Sequence, residues 1–526
     1  MEKRDKERNN FLFQDINLDE KSLKFNIYKF FYSLILEKKE FKAFLKIIEI
    51  FIETIQFISF AFSPIHYDSW KIERKTIKII SNVLNAFRLS EFIKSLKYNQ
   101  YLAILYALVI IIFILNLIVI LNILFIESSY QLYRYSSAII RTIIDVISVL
   151  LYIPLTEIML LLIKCDNGKV QEFKDGEKCW EKTYYLNFTI SMIGIVLLFL
   201  WSNFMLNFSF YPFANSKSTI RIYSFNDIII LFLKLFLILQ NLVIKNEYLS
   251  IAILFIISLI MFFCCYSHST YNNNKIEIAI YIKNILVIWT FLVLLISKIF
   301  INISANGFIY LLVLICPIII YFSILIYQEK FVNIIQISTN CRNINQFIQV
   351  TKYKINLIDS FLENNKIIGN KNEKDIQKNI ILLKGIIKVH NLSCSDKDCP
   401  LTKFSNNEGN YNIQKQCLLN YMNIYFINGL KMYSNNIYIL MQYINFNYSK
   451  RFNLNSVRGN LLQLKKIKCN LNERYIIYCM EQNIGNTKKN GIDLNFDNDQ
   501  NNDSQIDLVE QKYQKLKYYI ENSIKL

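Results

Sequence analysis

Residues 101–126 read YLAILYALVIIIFILNLIVILNILFI, without one charged side chain. In hydrocarbon a backbone must satisfy its own hydrogen bonds, so an apolar run of about 20 residues or more reads as a membrane-spanning helix. Six further runs have this character: Ala138–Ile163, Tyr185–Phe208, Asp227–Ile244, Leu249–Cys265, Ile276–Ile301 and Gly307–Tyr327. Tyr and Trp cluster at several of their ends, as interfacial anchors do. An eighth candidate, Phe44–Phe62, is apolar but carries Glu49 and Glu53 one helical turn apart on one face. It either spans with its carboxyls turned toward other helices or lies in the interface. The expected fold is all-α: a polytopic membrane bundle of seven or eight spans followed by a helical region.

Composition agrees. The 526 residues are 53% hydrophobic and only 19% charged, against about 25% charged in soluble domains. The net charge of +18 admits anionic lipid or nucleic acid as partner. No nucleic-acid motif accompanies it. Codon drift in an A+T-rich genome, which adds Lys, Asn, Ile and Tyr throughout, explains it better together with positive-inside topology. Residues 1–10 mix Lys and Arg with Asp and Glu and lack an apolar signal core, so the N-terminal tail is expected in the cytosol.

The layout that follows is a cytosolic tail (1–43), a transmembrane domain (44–328), a cytosolic helical region with a Cys/His turn (329–482), a disordered Asn/Asp-rich segment (483–506) and a terminal helix (507–526). Eight spans place both ends in the cytosol. The linker 63–100 then faces outward, although its Lys and Arg residues favour the inside. The same reading puts Cys165 and Cys179 in one outward loop, where a disulfide is the default. Closing that loop contributes about 3 kcal/mol in the loop-entropy view. The sequons at Asn187 and Asn302 fall near the same side, where they either carry glycans or lie too close to the bilayer to be glycosylated. The membrane itself is either the plasma membrane or an endomembrane.

Three motifs, taken in order, resemble the tiny macrocysts protein B-like family, multi-pass proteins expanded in ciliates. The first is Ser59-Phe-Ala-Phe-Ser-Pro64 with Trp70 soon after. The second is the loop holding Cys165 and the Cys179-Trp180 pair. The third is His390-Asn-Leu-Ser-Cys394-Ser-Asp-Lys-Asp-Cys399-Pro400-Leu401, ahead of a tetratricopeptide-like region. The resemblance implies fold and membrane location rather than a mechanism. It departs from the family at Leu401, where a further Cys is common, and at Tyr433-Ser-Asn-Asn436, where a Phe-Pro-Asn turn is usual. The sequence to Leu526 shows no sensory PAS domain of the kind members often carry.

Candidate chemistry is sparse. His390, Cys394 and Cys399 have metal-ligand spacing, and Cys417 is a possible fourth ligand for a structural zinc. The competing reading is a capped turn with buried thiols. Asp145, Glu157, Lys234 and Lys283 fall inside spans, with Arg141 one turn before Asp145. They either line a solute pathway, or pair between helices or snorkel near span ends. Asp499, Asn501, Asp503, Asp507 and Glu510 match an EF-hand loop, but Ser504 replaces its glycine. No phosphate-binding loop, nucleophile elbow, zincin motif or dinucleotide fingerprint is present. His66 and His268 sit at membrane edges. The expected function is a non-enzymatic signalling or scaffolding component whose helical region binds a cytosolic protein, with the lipid bilayer as its other partner and no nucleic acid. A channel or transporter is the alternative.

Overall fold

The computed structural model describes residues 23–36, 43–70, 72–125, 146–163, 165–166, 169–170, 179, 181–208, 210, 221, 224–267, 271, 273–299, 307–336, 344–364, 373–394, 396, 398–407, 410–433, 436–451, 454–467 and 469–490. These form α1 (Leu23–Leu36), α2 (Ala43–Ser59), α3 (Arg74–Ala86), α4 (Ser90–Ser95), α5 (Tyr98–Leu124), α6 (Tyr152–Leu160), α7 (Lys182–Phe208), α8 (Phe225–Val243), α9 (Glu247–Ser267), α10 (Asn274–Ile299) and α11 (Gly307–Gln336). Then follow α12 (Ile344–Asn364), α13 (Glu373–Ser393), α14 (Pro400–Asn406), α15 (Tyr411–Met432), α16 (Ile437–Ser449), α17 (Leu454–Lys466) and α18 (Leu471–Asn490). A two-residue antiparallel ribbon, β1 (Cys165–Asp166) with β2 (Lys169–Val170), interrupts the helices between α6 and α7.

Six described helices are long and apolar enough to cross a membrane: α5, α7, α8, α9, α10 and the 312–329 portion of α11. Their outward faces are apolar. On α5, Ile110, Ile111, Phe113, Ile114, Leu117 and Ile120 are all exposed. Buried positions of the neighbouring helices hold Ser202, Asn226, Lys234, Gln240, Lys283 and Asn284. Apolar outside and polar inside is the arrangement lipid demands. The chain is a membrane-embedded, multi-pass helical protein.

Two expected spans differ from these six. The run Ala138–Ile163 is described only from 146, where a π-turn (Val146–Leu150) leads into the short α6. Pro154 lies in the first turn of α6 and cannot donate to the carbonyl of Leu150, four residues back. Gln56 of α2 supplies that bond instead, its Nε2 standing 3.0 Å from Leu150 O. Irregular backbone is tolerated at membrane depth only where protein satisfies it in this way. The candidate Phe44–Phe62 becomes α2 and a 3₁₀ turn at Phe60–Phe62, and its helical part of 17 residues is shorter than the six spans above.

The chain groups into two compact units, Met1–Ile476 and Ile477–Leu526. In the first, α2 packs along α10, α5 against α7, and α6 against both α7 and α8. The Ser59–Pro64 motif closes beneath a fully buried Trp70, whose ring stacks on Phe62 at 4.6 Å and whose Nε1 donates to Ala61 O. After the last span, α12 to α17 pack as successive neighbours around Leu357, Leu383, Leu401, Leu418, Met422 and Phe446. Asn410 and Asn436 cap α15 and α16, each side chain accepting from a backbone N–H three residues on. In the second unit the described residues continue α18 to Asn490, so the start of the segment expected to be disordered is helical. The 507–526 helix, the EF-hand-like residues and the tail 1–22 lie outside the described residues.

Candidate functional site

Lys46, Glu49 and Glu53 succeed one another at three- and four-residue steps, so α2 presents them as one stripe. The stripe faces inward. Lys46 pairs with Glu49 at 2.7 Å. Glu53 is held from two sides: Lys234 of α8 reaches Oε1 at 2.7 Å and Lys283 of α10 reaches Oε2 at 2.9 Å. Lys234 also donates to Val149 O at 3.1 Å, satisfying the π-turn that precedes α6. All three side chains are buried, so each charge depends on the others. A cavity of about 50 Å³ opens among them, lined also by Ser148, Arg221, Asp227 and Tyr271. The Ser148 hydroxyl is buried there with no hydrogen-bond partner among the described residues.

Tyr271, between α9 and α10, is the node of this cluster. Its hydroxyl accepts from Arg221 Nε at 3.2 Å, and Arg221 pairs with Asp227 at 2.9 Å. Its backbone N–H donates to Glu277 at 2.7 Å. Its carbonyl accepts from Lys352 Nζ of α12 at 2.6 Å. One turn earlier on α12, Gln349 donates to Ser267 O at the end of α9. The helical region is therefore fastened to the same end of the bundle that carries the charged cavity.

Glu157 of α6 lies apart from this cluster and is taken by Arg88, which follows α3. Arg88 Nε stands 2.9 Å from Oε2, and Nη2 donates to Oε1. The guanidinium also lies over the Phe60 ring at 3.8 Å.

The second constellation is the Cys/His turn. His390 and Cys394 are four apart at the end of α13, where Cys394 N still bonds His390 O at 2.9 Å. The chain then turns back, so that Cys399 enters α14 beside them. One ligand atom from each of His390, Cys394 and Cys399 lies within 4.8 Å of the others, and His390 Nε2 is 3.2 Å from Cys399 Sγ. Cys394, Cys399 and Cys417 are all free thiols. Cys417 is outside the group: it is buried among the leucines of α15, and burial raises its thiol above the ordinary range. Leu401, at the family's further Cys position, is a core residue.

The structure thus joins Lys234 and Lys283 through Glu53, whereas Glu157 finds a separate partner. Asp145 and Arg141 lie outside the described residues. Cys179 is buried, while the Cys165 side chain lies outside the described residues. The Asn187 side chain is buried in α7 and accepts from the Tyr106 hydroxyl, which leaves no room for a glycan. Asn302 and His268 lie outside the described residues. Sequence reasoning missed Arg88, Arg221, Asp227 and Tyr271. The available signal was the need of two intramembrane lysines for a carboxylate, which Glu53 met.

Compared with protein-family models, with curated proteins and with solved structures, the chain matches none.

Proposed function

We propose that this chain is a non-enzymatic, multi-pass signalling or scaffolding component whose membrane bundle anchors a cytosolic, tetratricopeptide-like helical region that binds another protein. The observation that carries the reading is the Tyr271 node, where Lys352 and Gln349 of α12 bond the loop bordering the buried charge cluster. A partner held on the helical region is thereby mechanically connected to the bundle. Stacked helix pairs offer extended faces for peptides and proteins. On α15, Ile424, Ile427 and Met432 are exposed on such a face. The resemblance to the tiny macrocysts protein B-like family supports the same organisation, with a Cys165–Cys179 disulfide in an outward loop.

A second reading, transport, is favoured by the cavity beside Glu53, Lys234 and the Ser148 hydroxyl, which has no partner among the described residues. Against it, Glu53 already has both oxygens occupied by lysines. Liposome flux and cross-linking in cells separate the two. The scaffold reading expects no ion or solute flux above empty vesicles. It also expects cross-linked partners that disappear on Ile424→Glu with Ile427→Glu. Flux abolished by Glu53→Gln, with no partner lost from the helical region, overturns it.

A further inference from the structure

The turn joining α13 to α14 brings three soft and borderline donors together. His390, Cys394 and Cys399 come from two helices and the bend between them, yet their ligand atoms converge to within 4.8 Å. A hydrogen bond accounts for His390 Nε2 and Cys399 Sγ at 3.2 Å, but leaves Cys394 unaccounted for. The two thiols approach without bonding to each other. All three residues are only partly covered, so an ion has access.

We propose that His390, Cys394 and Cys399 bind a zinc-type divalent cation through three protein ligands, leaving the fourth position to water or an exchangeable ligand. Zinc takes imidazole nitrogen at about 2.0–2.1 Å and thiolate sulfur at about 2.3 Å in a tetrahedron. Those lengths set neighbouring donor atoms about 3.5–3.8 Å apart, so the observed cluster closes around zinc with small movements of its side chains. One imidazole with two thiolates selects borderline-soft metals over calcium or magnesium. A fourth donor is absent among the described His, Cys, Asp and Glu residues. Asp398 is turned outward to Lys403 at 2.7 Å, and Cys417 stays in the core. A three-ligand site differs from a closed structural site in keeping a position open. Binding here pins the end of α13 to the start of α14, and α14 packs on α15.

The test uses the full chain purified in detergent under reducing conditions, with zinc and cobalt as probes. Wild type is expected to bind one equivalent of zinc. Cobalt is expected to give thiolate-to-metal absorption. Cys394→Ser and His390→Gln each weaken zinc by more than tenfold, since even outer partners of a ligand are worth about tenfold or more. Cys417→Ser leaves stoichiometry and spectrum unchanged. Because a ligand variant can misfold, a second measurement uses wild type alone: zinc slows alkylation of Cys394 and Cys399 but not of Cys469, which lies outside the group. Wild type that gives no cobalt–thiolate absorption, or equal alkylation with and without zinc, overturns the site. Loss of the metal in Cys417→Ser overturns the three-ligand assignment.

Discussion

Arg88 and Glu157 form a two-pronged pair in which both side chains are almost fully buried. One partner follows α3 in the linker and the other is in α6, 69 residues apart in sequence. Read as a surface charge, Arg88 argues for an inward linker. Buried against Glu157, it holds the linker to the bundle and carries no vote on topology.

Breaking such a pair from one side leaves an uncompensated buried charge, at a cost of about 3–5 kcal/mol. Arg88→Met or Glu157→Gln alone is therefore expected to lower the melting temperature of the detergent-solubilised protein sharply. The double variant should recover much of the loss. Additive single losses in that cycle would contradict the pairing.

The Glu53 clamp makes a different prediction. Glu53→Gln leaves Lys234 and Lys283 facing one another without their shared anion, and is expected to destabilise the bundle more than either lysine variant does. Lys283→Met leaves a balanced Glu53–Lys234 pair and should be the mildest of the three. Thermal melts of the three variants in one detergent check the order.

How much of this was legible depends on what kind of signal carried it. The run 101–126 announces a lipid-facing helix because each residue reports hydrophobicity independently of its neighbours in space. The break before α6 was half legible. Pro154 marks it, but that Gln56 answers the freed carbonyl is a contact between residues 94 positions apart. The charges at Lys234 and Lys283 were visible as anomalies. Their common partner was not, because Glu53 lies 230 residues before Lys283. At the Cys/His turn the local spacing was enough to bring three side chains together, His390 and Cys394 being one helical turn apart. Cys417 stands outside that group, because its direction is set by packing of α15 into the core.

Gly429 is a point of close approach between α12 and α15. A Cβ built there meets the Phe347 ring, with Cε2 at 2.6 Å and Cε1 at 2.8 Å. That ring cannot easily retreat, because it stacks on Tyr425 at 4.8 Å. Gly429→Ala should therefore cost about 1–3 kcal/mol by overpacking. Adding Phe347→Leu should relieve part of that. A single variant melting like wild type would show that α12 can shift without penalty.

Topology has a direct readout at Lys75, which is exposed on α3. With α2 spanning and both ends of the chain in the cytosol, a cysteine placed there is labelled by an impermeant reagent on intact cells. Labelling only after permeabilisation would put the linker inside and remove α2 from the spans.

His66 gives the pH dependence. It lies in the turn between α2 and α3, fully buried, with Nε2 3.3 Å from the Ser250 hydroxyl. Burial pushes its pKa from 6.5 down to about 4; nearby Glu247 opposes the shift and Lys298 adds to it. Between those two values the unfolded chain binds a proton that the native chain does not. Stability therefore falls as pH drops from 6.5 toward 4, by on the order of 3 kcal/mol across the window. Above pH 6.5 the group is neutral in both states and contributes no slope. Melting curves at pH 7.5 and 5.0 should separate for wild type. They should draw together for His66→Gln, after allowing for the carboxylates that titrate in both. A His66→Gln variant with an undiminished acid shift would assign the sensitivity to other groups.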